Sequence, residues 1–344
     1  MESVKLTIDG CSVEVPKGTT ILEAALANGI YIPHLCFHPE VRAVGVCRLC
    51  LVEIEKRGNA VACKTPVEPG MVVRTETPAI RDTRRVAVEL LLVNHHGDCL
   101  TCAKSGDCKL QDVARYVGAR PEAVARMRRP APAFTIDDSN PFFTRDMNKC
   151  VLCGICVRTC EEIVGADAID FAFRGYSSVI ATFGNKPLAE SKCEACGECL
   201  VRCPVGALAP KKARTPAHEV KTVCSYCGCG CGIYLGVRGN QVVGVRADPA
   251  SPVSLGSLCV KGRFGYEYVN HPDRLTRPLI RRDGVLQEAS WDEALELVAT
   301  KLAEHRGKFA ALASAKCTNE DNYVLQKFTR GVMATNNVDH CARI

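Results

Sequence analysis

Tryptophan occurs once in this sequence, and aromatic residues make up only 6% of it. A chain of 344 residues would ordinarily form two or three domains, each with an apolar core. So few large aromatics argue that something other than apolar burial fixes several small domains. Long hydrophobic runs are missing too. The longest, such as Val86 to Val93, are too short to cross a bilayer, and Met1-Glu2-Ser3-Val4 lacks the cationic, apolar and small-residue succession of a leader peptide. No G-x-G-x-x-G follows a strand and opens a helix, so no dinucleotide site is expected. These absences predict a soluble, cytoplasmic chain without a membrane span, in a reducing setting.

What the sequence has is cysteine, 23 of them. A secreted disulfide scaffold explains them poorly, because the chain is long, the count odd and the spacings clustered. Cys150, Cys153, Cys156 and Cys160 read C-x2-C-x2-C-x3-C, and Cys193, Cys196, Cys199 and Cys203 repeat the pattern, closed by Pro204. Three cysteines in two-residue steps wrap one face of a 4Fe-4S cube, and the fourth of each run is placed to ligate the other cube. One cube is therefore assigned to Cys150, Cys153, Cys156 and Cys203, and the other to Cys193, Cys196, Cys199 and Cys160. Zinc usually takes two separated C-x2-C knuckles, and a doubled triple fits it poorly.

Residues 4 to 15 alternate around Asp9-Gly10, which predicts a hairpin. Thr19 or Thr20 can cap a helix through Ala27 that Asn28-Gly29 ends. A loop with Cys36, Cys47 and Cys50, an alternating strand from Leu51 and then Cys63 complete the outline of a β-grasp ferredoxin. The spacing C-x10-C-x2-C-x12-C could hold a 2Fe-2S cluster, with zinc as a serious rival because only one C-x2-C is present. Cys11, on the hairpin, is read as packing.

Thr77 and Pro78 start a helix whose apolar spacing runs to Val93. His95, Cys99, Cys102 and Cys108 follow as H-x3-C-x2-C-x5-C, a set that could hold a 4Fe-4S cube with one nitrogen ligand, or zinc. His96 is a neighbouring candidate or a surface histidine. After a helix near Lys109 to Val117, residues 129–132 read as a linker, and Arg126, Arg128 and Arg129 as a solvated basic run. The third chemical stretch is Cys224, Cys227, Cys231 and Cys259, C-x2-C-x3-C-x27-C, with strands between Ile233 and Val245. Cys229 is not read as a ligand. Lys261 beside Cys259 could tune a cube or pass electrons to a cofactor. The formal charge of +6 counts thiols as neutral; five loaded clusters would add about −9 and leave roughly −3, so no nucleic-acid partner is expected.

Ser290 to Glu293 is a capping box for a helix to about His305, ended by Gly307. Phe309 to Ala313 reads as a buried strand and Asn319 to Met333 as a helix. This is the opening of an α/β domain that needs more strands and helices to bury its sheet. With Ile344 last, the segment is expected to fold poorly or recruit a partner, and the chain to be a fragment.

In this order the motifs resemble the alpha subunits of NAD-linked or hydrogenase-linked formate dehydrogenases, in the molybdenum or tungsten bis-pterin oxidoreductase family. The resemblance covers essentially the whole chain. Its most specific parts are Cys224-Ser225-Tyr226-Cys227-Gly228-Cys229-Gly230-Cys231 and Thr335-Asn336-Asn337-Val338-Asp339-His340-Cys341-Ala342-Arg343. The fold class it implies is an α+β multidomain iron–sulfur protein: a β-grasp 2Fe-2S ferredoxin (1–78), a 4Fe-4S domain ligated by one histidine and three cysteines (79–128), a two-cluster 4Fe-4S ferredoxin (138–212), a molybdopterin oxidoreductase 4Fe-4S domain (217–272) and the incomplete start of an α/β molybdopterin domain (273–344).

In that family the tail motif runs directly into the selenocysteine or cysteine that ligates the metal, so the resemblance implies truncation at a selenocysteine codon read as a stop. No catalytic residue is then expected in the chain. In the complete enzyme formate would lose two electrons and a proton at a bis-molybdopterin guanine dinucleotide. Electrons would pass the Cys224 cube, with Lys261 between cube and pterin, then the paired cubes, the His95 site and the 2Fe-2S centre. The expected partner is a flavin-bearing, NAD-reducing iron–sulfur subunit or a hydrogenase module. The large iron–sulfur subunit of complex I is the nearest rival, although it usually keeps one cube where this chain has two runs. Di-iron hydrogenases share the first four clusters but not the motifs beyond Cys224. A free-standing electron-transfer protein and a zinc scaffold are the alternatives from other classes.

Overall fold

Asp9 and Gly10 have φ of +48° and +82°, the left-handed pair that a two-residue hairpin needs. They join β1 (Ser3–Ile8) to β2 (Cys11–Pro16), in register from Ser3 opposite Pro16 to Ile8 opposite Cys11. α1 (Ile21–Ala27) starts with a capping box between Thr20 and Glu23 and ends at Asn28. β3 (Leu51–Ile54), β4 (Gly58–Val61) and β5 (Val72–Arg74) complete a sheet of order β2-β1-β5-β3-β4. Its β1–β5 pair is parallel and its other pairs antiparallel. Ile21 and Leu22 of α1 are buried with Leu6, Ile8, Val52 and Val73 of the sheet, each contributing about 1.5–3 kcal/mol. Cys50 and Cys63 belong to the same core. Cys11 does not: it is exposed, so the expected packing role is wrong, because the side chain falls on the solvent face of β2.

The computed structural model describes residues 2–128, 130, 133–212 and 214–342, and the chain divides into two units, 1–212 and 213–344. In the first, α2 (Pro78–Val93) begins where the Thr77 hydroxyl accepts the Ile80 N–H. α3 (Lys109–Val117) ends on left-handed Gly118, and α4 (Pro121–Met127) follows. Arg126, expected in a solvated linker, lies in α4, and Arg128 donates to the His95 carbonyl at 3.4 Å. Arg129 and most of the linker assigned to 129–132 lie outside the described residues, as do Arg343 and Ile344 of the tail.

A second core joins the first cysteine loop to later parts of the unit. Leu35 and Leu49 from that loop, Val88 of α2, Leu110 of α3, and Val151 and Val205 from the paired runs pack together. Around the runs, β6 (Phe143–Arg145), β7 (Asp170–Ala172), β8 (Val179–Ala181) and β9 (Leu208–Pro210) form two antiparallel pairs, β6–β9 and β7–β8. α5 (Ile155–Arg158) and α6 (Glu198–Arg202) start from left-handed glycines, Gly154 at φ +68° and Gly197 at φ +77°. The repeat in sequence is thus a repeat in backbone.

In the second unit β10 (His218–Val223), β11 (Gly232–Arg238) and β12 (Gln241–Ala247) form an antiparallel sheet. α7 (Val260–Phe264) follows Cys259, and β13 (Leu279–Arg282) pairs with β14 (Val285–Glu288). α8 (Trp291–Glu304) is capped by Ser290, which accepts the Glu293 N–H at 3.2 Å. The Glu293 carboxylate bonds Arg282 instead of returning to Ser290, so the expected box is half made. β15 (Ala311–Ala313) pairs in parallel with β16 (Val338–His340), and α9 (Asn319–Lys327) lies between them in sequence. The strand expected to be buried is shorter and carries Leu312 at 86% exposure. The helix expected to reach Met333 passes at Phe328 into a π-type turn. Among the described residues no helix is long and apolar enough to cross a membrane.

Candidate iron–sulfur centres

The paired runs are brought together crosswise. Cys150, Cys153, Cys156 and Cys203 line one narrow cavity, and Cys160, Cys193, Cys196 and Cys199 line another. Arg145, Ile169 and Leu208 border both, which puts the two cavities side by side. Each run turns through a left-handed residue before its second cysteine, Leu152 at φ +52° and Ala195 at φ +55°. The first turn exposes a backbone donor, the Leu152 N–H, which reaches Cys150 Sγ at 3.3 Å; from a separate segment the Ala168 N–H reaches Cys160 Sγ at 3.3 Å. Burial still dominates. It pushes the Cys150 thiol up to about 11 and Cys153 to about 12, and raises Cys156 and Cys199 as well. These thiols keep their protons until a cation replaces them, which is the chemistry of metal-coupled assembly. A soft, all-sulfur donor set around an apolar cavity fits an iron–sulfur cube.

In the first loop the four cysteines meet as two hydrogen-bonded pairs. The bond between Cys36 and Cys47 lowers the first thiol and raises the second, and that between Cys50 and Cys63 raises Cys50 and lowers Cys63. Cys36, Cys50 and Cys63 are buried and Cys47 half-buried. The charge of Cys36 is felt at Cys50, Cys63 and also Cys153. Arg158 Nη2, bonded to both Cys36 O and Cys153 O, ties this loop to the first paired run. The expected route sets the His95 site between them, whereas Leu35, Leu49 and Val151 bring the loop and the run into one core.

Burial is the main cause raising the Cys108 thiol, with Cys102 and Cys99 adding to it. Cys102 Sγ packs on Gly206, so closely that a β-carbon there would collide with it. His95 is buried, its Nδ1 has no hydrogen-bond partner among the described residues, and burial lowers its pKa. The charged groups around it are Lys149, His96 and Asp146. A neutral buried imidazole with an unspent ring nitrogen suits a metal ligand. His96 Nε2 is likewise unpartnered, so the neighbouring histidine is no surface residue at that atom.

In the second unit Cys224, Cys227 and Cys259 interact, burial raises Cys224, and burial with the Cys229 thiol pushes Cys231 up to about 12. Cys229 Sγ lies 3.5 Å from Cys231 Sγ, a neighbour that spacing alone leaves out of the set. The Cys259 and Lys261 side chains are exposed, Lys261 in the short helix α7. Cys317 donates to the Ser314 carbonyl at 2.9 Å, and Cys341 is exposed. Among the described residues no three His, Cys, Asp or Glu side chains stand close enough to hold a single metal ion.

Five family profiles match in the same order. They are a 2Fe-2S iron-sulfur cluster binding domain (1–78), an NADH-ubiquinone oxidoreductase-G iron-sulfur binding region (84–122) and the ferredoxin-like domain of NADH-quinone oxidoreductase subunit 3 (140–209). The molybdopterin oxidoreductase Fe4S4 domain (217–271) and molybdopterin oxidoreductase (274–344) complete the series. An NADH-quinone oxidoreductase G subunit of Rhizobium meliloti (strain 1021) is 40% identical over 99% of this chain and 40% of its own length. A Bacillus subtilis (strain 168) protein provisionally named a formate dehydrogenase is 31% identical over 100% of this chain and 40% of its own. This chain thus spans about two fifths of the length of the curated relatives it matches. Among solved structures, a chain of an NAD+-reducing [NiFe]-hydrogenase in the H2-reduced state superposes with a TM-score of 0.57 at 37% identity, over 62% of this chain and 89% of that one. With cluster domains at its start and the molybdopterin domains after them, the chain belongs to the NADH-quinone oxidoreductase G-like and molybdopterin oxidoreductase family of iron–sulfur subunits.

Proposed function

We propose that the chain is an electron conduit holding one 2Fe-2S and four 4Fe-4S clusters. Cys36, Cys47, Cys50 and Cys63 would take the first. His95 with Cys99, Cys102 and Cys108, the two crossed sets, and Cys224, Cys227, Cys231 and Cys259 would take the cubes. The observation that carries the reading is the crossed grouping, in which each run sends its fourth cysteine to the other cavity. Bound clusters supply one-electron steps at closely spaced centres; the chain supplies thiolates, N–H donors and dry walls. Anaerobic reconstitution should give about 18 irons per chain and paramagnetic signals after dithionite. Stoichiometric zinc, or a colourless protein silent to electron paramagnetic resonance, would overturn it.

For the full-length protein the reading is formate oxidation at a molybdenum or tungsten bis-pterin site, with Lys261 on the electron path from pterin to the Cys224 cube. A flavin-bearing, NAD-reducing subunit or a hydrogenase module would accept the electrons. The formate dehydrogenase relative and the molybdopterin profiles support it. A complex I-like large iron–sulfur subunit is supported about equally, by the Rhizobium meliloti relative and the two NADH oxidoreductase profiles. Metal analysis of the full-length protein from its source separates them. Molybdenum or tungsten with formate-dependent dye reduction supports the first, and absence of both metals supports the second.

A further inference from the structure

Arg158, the last residue of α5, is 4% exposed and donates only to backbone carbonyls. Nη2 reaches Cys36 O and Cys153 O, each at 3.0 Å; Nε reaches Gly154 O at 3.1 Å; Nη1 reaches Arg42 O. The other buried arginines of this unit differ. Arg84 pairs with Glu76, Arg145 with Asp137, and Arg202 with Glu198 and Glu40. Glu161, Asp167 and Asp170 line the same surface cavity as Arg158, but none forms an ion pair with it, and Glu161 and Glu162 pair with Arg42. Among the described residues Arg158 has no carboxylate partner.

A guanidinium does not shed its proton to escape burial. Carbonyl dipoles offset part of the cost, yet a buried charge without an ion-pair partner stays unfavourable. A negative centre against its buried face would offset what the carbonyls and the unbonded carboxylates of the cavity leave uncompensated. The groups on either side are the Cys36 loop and the Cys153 run, and one nitrogen of Arg158 bonds a backbone carbonyl of each.

Resting on the cluster assignment above, we propose that Arg158 is the shared counter-charge of two neighbouring centres, the 2Fe-2S cluster and the first paired cube. Each centre carries net negative charge with its thiolates and gains more on reduction, and net charge and hydrogen bonding set its potential. One fixed cation between them raises both potentials and favours the electron on either side. Its fork to Cys36 O and Cys153 O also fixes the spacing of the two ligand loops, so it is a positioning residue as well.

The test is a redox titration of the cluster-loaded chain, followed by electron paramagnetic resonance, on Arg158→Met and Arg158→Lys. In the Met variant the midpoints of the 2Fe-2S centre and of the cube at Cys150, Cys153, Cys156 and Cys203 should both move down, while the His95 and Cys193 centres stay. The Lys variant should keep the wild-type values. Unmoved midpoints in the Met variant, an equal shift at every centre, or a Lys variant displaced as far as Met would overturn the proposal. If the Met variant loses these two clusters while the Lys variant loads both, the charge requirement stands; loss in both variants reduces Arg158 to a structural part and overturns it. Failure of the unsubstituted chain to take up iron would instead sink the cluster assignment.

Discussion

A β-carbon on Gly206 would collide with Cys102 Sγ, and a sulfur bound to a cluster cannot swing aside. Gly206→Ala should therefore empty the His95 site selectively, lowering iron by about four atoms per chain while the 2Fe-2S signal persists. Full iron content in that variant would place Cys102 outside the ligand set. Such a residue is invisible in sequence, because its need for hydrogen comes from a sulfur distant along the chain. The proposed ligands of the paired runs are read from sequence for the opposite reason: two-residue steps between cysteines follow from how a short loop would wrap a cube. Arg158 escapes a reading of the sequence because nothing local marks a cation two of whose four acceptors, Cys36 O and Arg42 O, lie more than a hundred residues away.

At the scale of elements, legibility follows local signals. The Asp9-Gly10 turn, the Thr20 cap and the Thr77-Pro78 start each determine their element within a few residues, and β1, β2, α1 and α2 form where expected. β10, β13 and β14 escape because they present almost no buried face, leaving no alternation to read. α4 has a readable signal in Pro121 at its first turn, but the basic run after it suggests a linker. What ties α4 down is Glu89 of α2, whose buried carboxylate accepts from Arg120 N at 3.0 Å, Nε at 2.9 Å and Nη2 at 3.2 Å. The Arg120 hydrogen bonds are the first cause holding the Glu89 carboxyl below its ordinary value of 4.5. A carboxyl depressed in the folded state adds stability above the ordinary value and loses it as pH falls through the depressed one. Arg120→Ala should lower the urea midpoint near neutrality, and its deficit should shrink below pH 4.5. An equal deficit at both pH values would mean that the pair contributes nothing electrostatic.

At the scale of the first unit, the cysteine loops adjoin in an order that differs from that of their motifs along the chain. The His95 motif lies between the first cysteine loop and the paired runs along the chain, yet that loop and the first run share a core through Leu35, Leu49 and Val151, and Arg158 bonds Cys36 O and Cys153 O. Spacing does not reveal this, since it suggests which cysteines would share a cluster and leaves open which loops are neighbours. Magnetic coupling falls steeply with distance, so a reduced cube beside a reduced 2Fe-2S centre should speed its spin relaxation. The 2Fe-2S signal should therefore saturate at higher microwave power in the fully reduced wild type. Cys153→Ala, which removes the neighbouring cube, should make it saturate easily. Cys99→Ala, which removes the His95 cube, should leave it nearly unchanged. The reverse pattern would restore the His95 centre as the nearest neighbour and the sequential route with it.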